Sequence, residues 1–156
     1  QMSQHLLPND DIEWILKISN CFLIREPKDV IISYSKIYKN ISIELLGYPQ
    51  LFKIFNKVKN NSPPVIDSRN ILLNPKKILK TLCKHLNINF TDSMLKWKNG
   101  PQDNDGIWGK HWYKQLYKTN GFMKYDEKKQ NLPNKYFSLY KNCLEYYNKL
   151  KIHELK

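Results

Sequence analysis

Arginine is nearly absent from this chain: of 26 basic residues in 156, only Arg25 and Arg69 carry a guanidinium. A planar guanidinium grips a phosphate through two parallel hydrogen bonds where an ammonium is a point charge, so an arginine in a lysine-dominated chain marks a place where geometry matters. Cysteine is sparse as well. Cys21, Cys83 and Cys143 are odd in number and far apart, which predicts neither a disulfide framework nor a zinc site, and their apolar neighbours predict buried thiols in a reducing compartment. No run approaches the ~18 consecutive apolar residues of a membrane span, and the first ten residues lack the basic-then-apolar pattern of a signal peptide. The expectation is a cytoplasmic protein without a membrane span.

What is present is ordinary globular material, 41% hydrophobic and 26% charged, and residues 1–156 are expected to form a single domain. The formal charge of +12 invites a polyanion partner. The lysines, however, are spread along the whole chain, as on solvated helix faces, which disfavours nucleic acid. A basic polyanion-binding or nucleic-acid-binding module is nevertheless one alternative reading of the charge.

Asp10 and Asp11 precede Ile12, Trp14, Ile15 and Ile18 at helical spacing, predicting a short helix. Cys21 to Ile24 is unbroken apolar sequence, the pattern of a parallel strand covered on both faces. Pro27 opens a helix with Val30, Ile31, Tyr34, Ile37 and Tyr38 on its buried face. A second helix holds Leu51 to Val58, a loop spans Asn60 to Pro64, and Val65-Ile66-Asp67 is a second strand. Pro75 opens a helix that Asn87 stops, the segment from Trp97 to Gly121 reads as a loop leading into a short helix around Trp108 to Leu116, and Pro133 opens the last helix. The fold class is α/β and helix-rich. Two parallel strands cannot cover themselves, so further strands before Gln1 in a longer protein, or association with another copy, are expected.

Ligands of open α/β sheets bind beyond the carboxyl ends of the strands, where a helix N-terminus offers amide protons to an anion. Arg25 stands at such an end, and Ser33 follows two turns into the next helix. The ten residues from Arg25-Glu26-Pro27-Lys28-Asp29-Val30 to Ser33-Tyr34 resemble the donor 3′-phosphate motif of cytosolic-type sulfotransferases. The resemblance implies part of a P-loop-like parallel-sheet fold whose amino-terminal strands are missing. It also implies a donor, 3′-phosphoadenosine 5′-phosphosulfate, with adenosine 3′,5′-bisphosphate as product, and Arg25 and Ser33 holding the 3′-phosphate.

Upstream, His5-Leu6-Leu7-Pro8 resembles the family's His-Leu-Pro segment, which makes His5 the implied catalytic base. Imidazole suits that role because its pKa lies near neutrality. Leu72 to Leu79, with Leu82 to Leu86, resembles the family's strand, Asp-Pro turn and Leu-Cys helix, and Trp97 to Tyr113 resembles a bacterial branch. The departures are specific. The family's Gly-rich 5′-phosphosulfate loop does not occur in these residues, many members have a tyrosine where this chain has Ser68, and a later Arg-Lys-Gly contact is replaced at best by Lys98. The resemblance implies sulfuryl transfer without metal to a small-molecule or glycan hydroxyl or amine, with weak activity for this chain alone. A non-catalytic sulfotransferase-like subunit, or a homo-oligomer, is the other alternative.

Overall fold

The computed structural model describes residues 6, 9–107, 109–127 and 131–155, with the backbone alone at Lys110 and Trp112. The architecture is helix-rich α/β around a small two-stranded parallel sheet. The chain divides into two compact units, residues 1–69 with 127–156, and residues 70–126.

In the first unit the two apolar runs become β1 (Phe22–Ile24) and β2 (Val65–Asp67), paired in parallel with Phe22 opposite Val65 and Ile24 opposite Asp67. Among the described residues its α-helices are α1 (Pro27–Tyr34), α2 (Ile43–Leu46), α3 (Tyr48–Val58) and α7 (Phe137–Lys151). Partners in a parallel register point to the same face. That face is packed: Phe22 meets the Phe55 ring edge-on at 5.4 Å, and Asp67 meets α7. Ile24, Ile31, Val58, Val65, Cys143 and Leu150 are among the most deeply buried apolar side chains of the unit. Gly47 joins α2 to α3 at φ 76°, a left-handed turn that costs glycine little. On the far side of β2, Leu155 donates its N–H to the Val65 carbonyl at 2.8 Å.

The other face corrects the sequence reading. Leu23 is 60% exposed, so β1 is covered on one face among the described residues and not on two. An apolar run signals burial of alternate residues equally well when only one face is packed. Cys21 is exposed, whereas Cys83 and Cys143 are buried, because Cys21 stands just before the strand. The predicted helix over residues 10–18 is a 3-10 turn at Glu13–Lys17 that buries only Ile15, and α1 stops at Tyr34, leaving Ile37 outside it and exposed.

The second unit is built on α5 (Pro75–His85), whose first turn is capped by Asn74 accepting from the Lys77 N–H at 3.2 Å. Asn87, at φ 54°, ends that helix. Leu72 and Leu73, where the resemblance implied a strand, lie in α4 (Ser68–Leu73). The Trp97–Gly121 segment is closed by a bridge between Lys96 and Gly121 and holds the four-residue α6 (Gly109–Trp112). Trp97 donates from Nε1 to Thr119 at 3.1 Å and packs on Phe122, so it ties the two ends of this segment together. Trp108 lies outside the described residues.

Candidate functional site

β1 ends at Ile24 and hands the chain to Arg25 and Glu26, after which Pro27 fixes φ at the first position of α1. The first amides of the helix fold back on the junction, with Asp29 and Val30 donating to the Glu26 carbonyl at 3.1 and 3.3 Å. Tyr48, buried at the start of α3, clamps this corner by donating its hydroxyl to the Arg25 carbonyl at 2.8 Å. Burial, followed by the charge of Glu26, raises the pKa of Tyr140 of α7 above the ordinary tyrosine value. Burial holds the Tyr48 phenol protonated far above its usual range, so it acts as a fixed donor.

With its backbone held, the Arg25 side chain projects into solvent. It lines a cavity of about 620 Å³ whose walls are mostly apolar, among them Leu6, Trp14, Ile18, Leu23, Val30 and Tyr34. Ser33 is exposed on α1. It lies three residues after Val30, hence on the neighbouring helix surface, while Pro27 and Ile31 point into the core. Arg25 and Ser33 thus occupy one rigid strand-to-helix segment of the first unit, both open to solvent. Lys98 belongs to the second unit, where it is exposed and its carbonyl accepts from Gln102 at 3.4 Å. His5 lies outside the described residues.

Beside the junction is a polar cluster that the sequence reading missed. Asp67, 1% exposed, closes β2 opposite Ile24. Its carboxylate accepts from the Tyr147 hydroxyl, from the Lys151 ammonium, and from the Arg69 N–H at 2.8 Å. Burial alone would raise the Asp67 pKa, but these bonds from Lys151, Tyr147 and Arg69 outweigh it and hold the carboxyl below its ordinary value. Tyr147 is pushed up to about 12, by burial first and then by its bond to the carboxylate. A buried acid ending an apolar run was the available signal, since such a group requires partners. Among the described residues, no three His, Cys, Asp or Glu side chains form a metal-binding group, and no helix is long and apolar enough to cross a membrane.

Two relatives from Arabidopsis thaliana, branched-chain-amino-acid aminotransferase-like proteins 2 and 1, are 35% and 34% identical over 133 residues. Those residues are 84% of this chain and 24% of each relative, so the chain spans about a quarter of the length of the proteins it matches. No solved structure matches. A sulfotransferase domain model matches residues 1–153, across both units, and the chain therefore belongs to the sulfotransferase domain family.

Proposed function

We propose that this chain takes part in sulfuryl transfer by binding the nucleotide of 3′-phosphoadenosine 5′-phosphosulfate, with the 3′-phosphate held by Arg25 and Ser33. The observation that supports it most is the placement of an exposed guanidinium and an exposed hydroxyl on one clamped strand-to-helix corner, in a chain whose family is sulfotransferase. The donor set fits the ligand. Arg25 offers a planar fork to two phosphate oxygens and Ser33 a single hydroxyl, at the carboxyl end of a parallel strand where anions are bound.

In this reading residues 1–156 belong to one P-loop-like sulfotransferase domain, placed in the cytoplasm. His5 takes the proton of the acceptor hydroxyl as that oxygen bonds to sulfur and the bond from sulfur to the phosphate oxygen breaks, releasing adenosine 3′,5′-bisphosphate. The apolar walls favour a small-molecule or glycan acceptor that presents a hydrophobic face.

The names of the plant relatives suggest aminotransferase chemistry for those proteins, of which the match covers a quarter. The charge of +12 favours a second reading, a dispersed polyanion surface. Thermal shift and calorimetry with adenosine 3′,5′-bisphosphate separate the two. A ligand at about 100 times its Kd adds roughly 2.7 kcal/mol, which for a chain of this size raises the melting temperature by about 5–10 °C. Arg25→Ala should abolish the shift, and Ser33→Ala should weaken binding about tenfold. No shift at millimolar nucleotide, or an equal shift in Arg25→Ala, overturns the nucleotide reading. Binding that many single lysine changes each weaken slightly, with a steep salt dependence, indicates the polyanion surface. Where turnover is assayed, His5→Ala should abolish it and leave nucleotide affinity unchanged.

A further inference from the structure

We infer that the cavity lined by Arg25 takes the uncharged apolar body of a small alcohol or phenol, with Trp14 as the side chain that recognises it. The inference rests on the sulfuryl-transfer reading only for calling that molecule the acceptor. Its basis is the wall of the cavity. Among the described residues that line it, Arg25 alone carries a charge, and Trp14, Ile18 and Leu23 are 43%, 51% and 60% exposed. A cluster of large apolar side chains open to solvent within one concavity is the mark of a ligand-binding groove. The volume, about 620 Å³, lies within the range of small-molecule sites, roughly 300–1,000 Å³.

Trp14 is also held in place. It is carried on the 3-10 turn Glu13–Lys17, where Ile15 is buried, the Glu13 carboxylate pairs with Lys57 of α3, and the Asn20 amide donates to the Ile15 and Ile18 carbonyls at 2.8 and 2.9 Å. An indole whose backbone is fastened offers a large flat apolar surface at little cost in conformational entropy. The polar groups of the wall narrow the ligand further. The Tyr48 hydroxyl already donates to the Arg25 carbonyl, and the Asn20 amide spends its donors on the turn, so neither has a proton left for a sugar oxygen. A sugar would bury hydroxyls without partners, and an ammonium would meet the Arg25 guanidinium. A neutral apolar molecule with one hydroxyl meets neither penalty.

The test is calorimetric titration of the whole chain with thymol, an apolar phenol, with methyl glucoside and, separately, with adenosine 3′,5′-bisphosphate. Thymol should bind and methyl glucoside should not. Trp14→Ala should weaken thymol binding about tenfold or more, and Leu23→Ala about threefold, each leaving nucleotide affinity within about twofold of wild type. Both side chains are open to solvent, so neither variant should unfold the chain, and either one alone decides the matter. Thymol affinity within about twofold of wild type in both variants, no binding of thymol, or methyl glucoside bound as tightly as thymol overturns the inference, and nucleotide binding that needs Arg25 then leaves the nucleotide reading intact. Thymol binding that needs Trp14, in a chain that binds no nucleotide, keeps the inference and removes the nucleotide reading. A dimer in light scattering that Trp14→Ala dissociates would show a second copy covering the cavity, which also overturns the inference.

Discussion

Asp67 and Ile24 are partners across the only two named strands of the described sheet, one a buried carboxylate and the other a buried aliphatic side chain. The pairing places a charged group against the core beside the strand end from which Arg25 emerges. It is tolerated because Tyr147, Lys151 and the Arg69 N–H all donate to Asp67. The same carboxylate therefore fastens α7 to the sheet and fixes the backbone leaving β2. Fold stability and the shape of the candidate anion site meet in one side chain.

Asp67→Ala should cost about 2–3 kcal/mol, since it leaves the Tyr147 phenol without its acceptor and takes the buried carboxylate from Lys151, which keeps the Tyr147 oxygen and Glu154. The figure lies below the range for a fully buried pair because Lys151 is 38% exposed and regains water. Urea denaturation should show it, together with a melting temperature about 5–10 °C lower. A loss below about 0.5 kcal/mol would mean that the cluster does not hold the helix to the sheet.

The cluster also sets two pH limits of opposite sign. Asp67 has a lowered folded pKa, so its contribution is present above the unfolded carboxylate value of about 3.9 and is lost as pH falls through the lower folded value. Tyr147 has a folded pKa raised to about 12, so its contribution is present below the unfolded tyrosine value and is lost as pH rises toward 12. Stability measured against pH should thus have a plateau with an acid limb that Asp67→Asn flattens and an alkaline limb that Tyr147→Phe flattens. Unchanged limbs in both variants would assign those slopes to other groups.

The sequence made some of this legible and not the rest, for physical reasons. Val65–Asp67 was readable as a strand because a proline-rich loop bounds it, and the starts of α1 and α5 because Pro27 and Pro75 suit a first turn. The stop at Asn87 was readable from its tolerance of the left-handed conformation. That Arg25 and Ser33 share one strand-to-helix segment was legible because both lie close together along the chain. Tyr48, Asp67 and Tyr147 were not, since their partners lie 23 and 80 residues away and local patterns see only neighbours. The exposure of Leu23 escaped for a related reason: an apolar run reports what a strand is made of, and the number of packed faces depends on the surrounding elements.

That difference between neighbouring strand residues is measurable. Ile24→Ala should cost about 2–5 kcal/mol, as expected when a fully packed aliphatic side chain is removed, whereas Leu23→Ala should cost less than about 1 kcal/mol. Equal losses, read by chemical denaturation, would mean that the Leu23 face is covered in solution.

Tyr48→Phe tests the clamp on the corner itself. The substitution keeps the ring, which is buried in the core, and deletes only the hydroxyl that donates to the Arg25 carbonyl at 2.8 Å. The carbonyl then loses a partner, for a stability loss of about 1–2 kcal/mol. Were Tyr48 only a core side chain, that loss would be its whole effect. As a positioning residue it should also alter the site: with the Arg25 backbone less firmly held, affinity for adenosine 3′,5′-bisphosphate should fall roughly three- to tenfold at a temperature where both proteins are fully folded. Affinity unchanged in Tyr48→Phe, despite the loss in stability, would show that the guanidinium finds its ligand without help from the backbone beneath it.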